Sequence, residues 1–151
     1  MSGPDVTLRR ADEDEDEDGM AVVETLLARN DLPTGDVRGK ADCFYVGYRG
    51  DSVVGIGGVE RFERSGLLRS IVVERSARGA GFGTALCDEL ETRAAAAGVE
   101  RLYLLTTTAA GFFADRGYAE IERADAPDSI RETAQFSEYC PATATCMRKH
   151  L

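Results

Sequence analysis

The sequence is poor in the residues that build metal sites and disulfide frameworks. Its 151 residues include no tryptophan, four cysteines and one histidine, His150, and no two cysteines form a Cys-x-x-Cys pair. A structural zinc site needs about four Cys or His ligands at short characteristic spacings, so we expect no metal. We expect reduced thiols, with Cys43 and Cys87 as small core residues because their neighbours are apolar.

Long apolar runs are also missing. No segment approaches the roughly 18 apolar residues of a membrane span, and the first ten residues lack the apolar centre of a secretory signal. We therefore expect a soluble, cytoplasmic protein with no membrane partner. An apolar content of 43% is enough for one core in a chain of this length, so we predict a single domain over residues 1–151, with 1–5 and 149–151 poorly ordered.

Basic residues are scarce relative to acidic ones. The chain has 18 Lys and Arg against 27 Asp and Glu, a formal charge of −9, whereas nucleic-acid binding needs a basic face. We expect no nucleic-acid partner. The acid is densest in residues 12–18, directly ahead of an apolar helical pattern. It serves either solubility in a salty cytoplasm, where charge repulsion is screened, or attraction of a cationic substrate; its place at a helix start favours the first.

Alternating and helical apolar patterns follow one another along the chain. They predict a fold of the α+β class, an α/β three-layer arrangement with a central mixed sheet of about six or seven strands and helices on both faces. A hairpin turn is predicted at 49–51, and a strand–helix–strand unit spans 67–106. The predicted strands are 6–10, 43–48, 52–62, 67–73, 102–106, 118–121 and 142–147, and the main predicted helices cover 20–29, 83–97, 109–116 and 128–136.

Glycines are concentrated at two places. Gly55, Gly57 and Gly58 interrupt a strand, which indicates a bulge or the close approach of another backbone or a ligand. The segment 79–83, Gly-Ala-Gly-Phe-Gly, stands between a strand and a helix, where free backbone N–H groups and the helix dipole bind anions. Arg75 and Arg78 add positive charge there.

Three interpretations of this turn compete. A dinucleotide-binding turn would follow the first strand and be followed by an acidic residue about twenty positions on, but here a mixed sheet precedes it. A phosphate-binding Walker loop needs a lysine, whereas Gly83 is followed by Thr84 and Ala85. The third is a tight turn without a ligand.

The segment Ile71–Leu86, IVVERSARGAGFGTAL, resembles motif A of the GCN5-related N-acetyltransferases, whose pattern is Arg/Gln-x-x-Gly-x-Gly/Ala after a strand. The resemblance implies the acyl-CoA N-acyltransferase fold and acetyl-CoA as co-substrate. It implies pantetheine and thioester contacts at the strand residues Ile71, Val72 and Val73. It also implies pyrophosphate contacts from the backbone of Arg78, Gly79, Ala80, Gly81, Phe82, Gly83 and Thr84.

A second segment, Phe112–Tyr118, resembles a later motif of the same family, and it shows one departure. The family's tyrosine, often the acid that protonates the departing thiolate, falls on Phe113, and the asparagine that often precedes it falls on Thr106. Phe113 is kept as a cofactor-binding position, but it cannot donate a proton. Either another group does so, or the thiolate leaves unassisted, because the thiolate of a thiol with a pKa of about 8.5 is a tolerable leaving group.

Acetyl transfer to an amine also needs a base and an acid. Glu60, near the end of the third predicted strand, is our first candidate for the base, acting directly or through water; the alternative is an exposed strand-end carboxylate. Glu74 is a weaker candidate. Tyr139 and Cys140 are candidates for the missing acid, since both carry a titratable proton, or else they are buried structural residues.

Four further residues are candidates for binding the acceptor. Arg69, followed by Ser70, could clamp a substrate carboxylate in a two-pronged contact, or form a surface salt bridge. Thr106 and Thr107 offer hydroxyl groups to a substrate, or they belong, with Thr108, to the cap of the next helix.

The C-terminal half, including 102–109, 123–127 and Cys140-Pro141, is similar to acetyltransferases associated with arsenic resistance. That resemblance implies an amino-acid-like or resistance-related amine. We therefore expect an N-acetyltransferase that acts by direct attack of a small-molecule primary amine, with a homodimer compatible with the fold. The alternatives are an enzyme that acetylates proteins or peptides and a sensor that binds acetyl-CoA without turnover.

Overall fold

A computed structural model describes residues 6–10, 18–29, 43–50, 52–74, 81–107, 109–133 and 144–151. No helix within these ranges is long and apolar enough to cross a membrane. Their strands are β1 (Thr7–Arg10), β2 (Phe44–Arg49), β3 (Ser52–Phe62), β4 (Ser65–Val73), β5 (Arg101–Thr106), β6 (Ala119–Ile121) and β7 (Thr145–His150). Their helices are α1 (Asp18–Arg29), α2 (Phe82–Ala96), α3 (Ala110–Asp115) and α4 (Asp128–Arg131).

The seven strands of the described residues form one sheet in the order β1-β2-β3-β4-β5-β7-β6. Strand β2 pairs antiparallel with both β1 and β3, and β7 pairs antiparallel with both β5 and β6. Strands β4 and β5 are parallel, in register from Ser65↔Arg101 to Leu67↔Tyr103. The mixed sheet and the strand–helix–strand unit through α2 are as predicted.

The chain divides into two compact units. One, called here unit 1, consists of Met1–Val59 and Ser70–Arg93, and the other, unit 2, consists of Glu60–Arg69 and Ala94–Leu151. Unit 1 has a core in which the predicted apolar stripe of α1 packs on the sheet. Its buried members are Val23, Leu26, Leu27, Phe44, Val46, Ile56 and Val72.

The opposite face of unit 1 carries α2, so helices cover both faces there, as predicted. Ile56 packs toward α1, and its strand neighbours Gly55 and Gly57 point the other way. A Cβ atom on Gly55 would lie 2.4 Å from the backbone O of Val72 and 2.6 Å from Leu86 Cδ1, and one on Gly57 would lie 2.5 Å from Leu90 Cδ1. The predicted close approach is confirmed, because these glycines let α2 lie against the strand.

Unit 2 has its own core, built from Leu67, Tyr103, Ala126, Ile130 and Cys146. The end of α2 belongs to it and forms a Schellman motif: the N–H of Val99 donates to Ala94 O and the N–H of Gly98 to Ala95 O, at 3.0 and 3.1 Å. Gly98 has φ +95, so the predicted role of this glycine as the residue that ends the helix is confirmed.

Two predicted elements of unit 2 were wrong in extent. The helix predicted over 128–136 ends at Arg131, where the Thr133 hydroxyl donates to Ile130 O at 2.6 Å. The strand predicted over 142–147 instead runs from Thr145 to His150, because pairing with β5 continues as far as Arg101↔His150. Residues 149 and 150 therefore lie in a strand, not in a poorly ordered tail, and an alternating apolar pattern could not reveal this in the polar stretch Arg148-Lys149-His150.

Candidate functional site

The start of α2 carries the described part of the glycine turn. Gly81, with φ +83, precedes the helix, and its carbonyl accepts from the N–H of Ala85 at 3.1 Å. Phe82 is buried and fixes the first turn, whereas Gly81 is exposed and Gly83 and Thr84 are half-buried. Residues 82–85 include no Asp or Glu. A helix start of this kind presents unsatisfied N–H groups to an anion.

Strand β4 brings its last residues into the same unit. Val72 is buried in the core, while Ile71 and Val73 are half-buried, as alternation along a strand requires. Glu74, which follows, donates its N–H to Val54 O at 2.8 Å and is half-buried. Arg78, Gly79 and Ala80 lie outside the described residues, so their predicted role stays a prediction.

Ser70 has an unusual backbone for a residue inside a strand. Its φ is +58, the left-handed region that costs an L-residue other than glycine about 1–3 kcal/mol. Strain of that size within a strand is maintained only when the surrounding structure enforces it. The sequence gives no sign of this, since Ser70 stands in an otherwise ordinary β-rich run.

Glu60 and Arg69 form a buried pair in unit 2. Arg69 Nη1 lies 3.5 Å from Glu60 Oε2, and both residues are 4% exposed. The alternatives of an exposed strand-end carboxylate and a surface salt bridge were therefore wrong. The two are nine positions apart in the sequence, but the β3–β4 hairpin places them together, which the pattern at each single position could not show.

Thr106, at the end of β5, takes part in the turn before α3. Its Oγ1 accepts from the N–H of Ala109 at 2.9 Å, so its hydroxyl closes the turn that leads into α3. That helix has no side-chain cap, and a substrate role for Thr106 stays a prediction. Thr107 is exposed. Thr108 lies outside the described residues.

Phe113 is buried in a cluster of aromatic rings. Its ring packs edge-on against Phe112 at 5.1 Å and Tyr118 at 5.4 Å between centroids. The position at which the family often has an acid is therefore an apolar contact here, and no proton can come from it. Tyr139 and Cys140, the other candidates for the acid, lie outside the described residues.

Cys146, which no sequence motif singles out, is one of the residues that line a cavity of about 710 Å³, together with residues 120–125, 144 and 145. Burial raises the pKa of its thiol to about 11, with a smaller lowering by Arg123 and a smaller raising by Asp125. This thiol is protonated near neutral pH and is not a nucleophile.

Among the described residues, no group of three His, Cys, Asp or Glu could hold a metal ion.

A helix start that is led by glycine and follows a strand is suited to bind the phosphate group of a ligand. The family model described as the acetyltransferase (GNAT) family matches residues 8–119. The chain belongs to this family of acetyltransferases, for which the resemblance of residues 71–86 to motif A implies acetyl-CoA as the coenzyme. The described residues 81–84 fit the coenzyme, because they offer backbone donors with no carboxylate to repel a phosphate.

Solved structures show the same fold. N-acetylglutamate synthase from Neisseria gonorrhoeae, complexed with coenzyme A and N-acetyl-glutamate, is 18% identical with a TM-score of 0.79, and the match covers 98% of this chain and 35% of that chain. The Rv2747 protein of Mycobacterium tuberculosis, in complex with CoA, is 22% identical, with a TM-score of 0.78 and coverage of 96% and 99%. Tetrahymena GCN5 is 14% identical, with a TM-score of 0.72 and coverage of 97% and 96%.

This chain thus spans about a third of the length of the N-acetylglutamate synthase chains that it matches. The confirmed predictions are the acyl-CoA N-acyltransferase fold and membership of the acetyltransferase family. The acceptor, the association with arsenic resistance and the homodimer stay predictions.

Proposed function

We propose that the enzyme transfers the acetyl group of acetyl-CoA to the primary amine of a small, amino-acid-like molecule in the cytoplasm. The observation that carries the proposal is the buried pair of Glu60 and Arg69. A base and a guanidinium held together out of water suit an acceptor that presents an amine and a carboxylate, because the guanidinium complements the second group. Two neighbours of the same fold are named N-acetylglutamate synthase, which supports an amino acid as acceptor.

Glu60 acts as the general base in this proposal. The acceptor must lose a proton to expose its nitrogen lone pair, and the nitrogen then bonds to the acetyl carbon while the carbon–sulfur bond breaks. Because Glu60 is 4% exposed, we propose that one ordered water relays the proton to its carboxylate. Acetyl-CoA supplies the activated acetyl group.

Arg69 and Ser70 stand on the acceptor side of this proposal, with Thr106 and Thr107 as further contacts. Ile71, Val72 and Val73 hold the pantetheine part of the co-substrate, and Phe113 contributes an apolar wall. With Phe113 unable to donate, the thiolate leaves unassisted or takes its proton from Tyr139 or Cys140. An arsenic-containing amino acid is one member of the acceptor class that we propose.

The test is thiol release from acetyl-CoA across amino acids, arsenical and phosphinate amino acids, polyamines and short peptides. We expect an amino-acid-like acceptor to give the highest kcat/KM, and Glu60→Gln to lower kcat for it about 100-fold, the usual size of a general-base contribution. Arg69→Lys should mainly raise KM, because it removes the two-pronged contact. A matched control is Glu63→Gln, at an exposed turn carboxylate three residues on.

Two results would contradict the proposal. Preference for peptides over every free amino acid would indicate a protein acetyltransferase instead. Full activity of both Glu60→Gln and Arg69→Lys on the best acceptor would remove this pair from the mechanism.

A further inference from the structure

Arg49 is placed at the start of α2 in a way that the family resemblance does not account for. It is the last residue of β2, at the hairpin that leads into β3, and its side chain is exposed. Its Cζ lies 5.9 Å from the centroid of the Phe82 ring. Phe82 is the first residue of α2, so a positive charge from a distant part of the sequence lies beside the first turn of that helix.

This arrangement is electrostatically unfavourable in the absence of a ligand. The start of a helix has a partial positive charge, which favours carboxylates and disfavours cations. The first turn of α2 has no carboxylate, although the whole chain has nine more acidic than basic residues. Arg75 and Arg78 precede the same helix in the sequence. A local conflict of this kind, set against an acidic chain, marks a site where an anion completes the charge balance.

Two other arginines of unit 1 show that stacking on an aromatic ring does not by itself explain the position of Arg49. Arg9 Cζ lies 5.4 Å from the Tyr48 ring centroid and Arg93 Cζ lies 5.2 Å from that of Tyr45. Both make a closer ring contact than Arg49, and neither of those rings belongs to the first turn of a helix. What distinguishes Arg49 is therefore the helix start beside it.

We propose that Arg49 is a phosphate-binding residue for acetyl-CoA, acting together with the backbone of the first turn of α2. An exposed guanidinium can turn from the ring toward a bound phosphate and donate two parallel N–H bonds to its oxygens. The coenzyme carries phosphate oxygens at two places, the pyrophosphate and the 3′-phosphate. The inference rests on the co-substrate of the family and does not depend on the proposed acceptor.

The test is the Kd of coenzyme A and of 3′-dephospho-coenzyme A, measured by titration calorimetry on the full chain. We expect Arg49→Ala to weaken coenzyme A about tenfold, the size of one charge-assisted contact at an exposed site, and Arg49→Glu to weaken it further because the charge is reversed. If the tenfold deficit disappears with 3′-dephospho-coenzyme A, Arg49 contacts the 3′-phosphate; if it persists, Arg49 contacts the pyrophosphate. Either pattern supports the proposal.

Arg9→Ala is the matched control, since Arg9 is also exposed and stacked on a ring of unit 1. It should change the Kd less than about twofold, because its ring partner Tyr48 packs against the core under α1, on the face of the sheet opposite α2. The proposal is overturned if Arg49→Ala binds coenzyme A like the unaltered enzyme, if Arg9→Ala loses as much affinity, or if Arg49→Glu binds no more weakly than Arg49→Ala. Thermal unfolding of each ligand-free variant separates a loss of binding from a loss of fold.

Discussion

Units 1 and 2 differ in how far their charged side chains are exposed. In unit 1, Arg9, Arg49 and Arg93 are exposed over aromatic rings, and glycines bring backbone close to backbone. In unit 2, Arg69 is buried against Glu60, and the Cys146 thiol is buried in the core of that unit. Phosphate binding needs exposed cations and free N–H groups, whereas proton transfer needs titratable groups in a controlled environment. The two proposals therefore assign coenzyme binding to residues of unit 1 and proton transfer to residues of unit 2.

The largest test of this comparison is to break the buried pair. Arg69→Ala leaves the Glu60 carboxylate buried without this partner, which should lower the free energy of unfolding by about 3–5 kcal/mol. Arg9→Ala removes only an exposed stacking contact and should cost less than about 1 kcal/mol. Urea denaturation of both variants measures the contrast.

A double variant separates stability from function in the same pair. Arg69→Met combined with Glu60→Met replaces both charges with apolar side chains and should recover most of the lost stability, while acetyl transfer stays low. Equal and small losses in Arg69→Ala and Arg9→Ala would show that the two units do not differ in this respect.

The next effect concerns the glycines of unit 1. Gly55→Ala places a Cβ atom 2.4 Å from a backbone oxygen of β4, and overpacking of this kind should cost about 3 kcal/mol. Gly111→Ala, in α3, meets nothing within 4 Å and should stabilise by about 0.5–1 kcal/mol, since alanine favours helix. The same substitution should thus lower the free energy of unfolding at Gly55 and raise it at Gly111. Thermal unfolding that showed changes of the same sign at both sites would contradict the close approach of α2.

The sequence predicted the parts of the molecule that obey local rules. The stripe Leu86, Leu90 and Ala94 places α2 on the sheet, and Gly98 ends it, because periodicity and the need for a positive φ are written in neighbouring residues. The contact of Glu60 with Arg69 depends on how β3 and β4 are registered, and that of Arg49 with Phe82 depends on how α2 packs on the sheet. Such pairings are non-local, so no spacing in the sequence encodes them.

The third test uses pH and the thiol of unit 2. Burial holds the pKa of Cys146 at about 11 against an ordinary 9.0, so the neutral thiol favours the folded state. This stability is fully present below pH 9 and is lost as the pH rises toward 11, by at most about 2.7 kcal/mol at 1.36 kcal/mol per pH unit.

Cys146→Ala removes the titrating group, so its free energy of unfolding should fall less steeply from pH 9 to 11 than that of the unaltered enzyme. Its stability at pH 7 is lowered by the lost volume, and the slope is therefore the quantity to compare. Cys43→Ala, at a half-buried cysteine of unit 1, is the control. Parallel stability curves for the unaltered enzyme and Cys146→Ala would contradict the assigned pKa.

The smallest effect concerns the left-handed residue of β4, where the chain passes from unit 2 to unit 1. Ser70→Gly relieves the strain of a φ of +58, and after the greater entropy loss of glycine on folding we expect a net gain of about 0.5–1 kcal/mol. Ser65→Gly, in the same strand and in register with Arg101, has no such strain to relieve and should lose about 0.5–1 kcal/mol. Thermal unfolding of the two variants gives the sign of each change. If the strain at Ser70 orients the backbone of Ile71 to Val73 toward the coenzyme, Ser70→Gly should raise the free energy of unfolding and also raise the Kd for coenzyme A. Ser65→Gly should leave that Kd unchanged. A Ser70→Gly variant that is less stable than the unaltered enzyme would show that Ser70 is not strained.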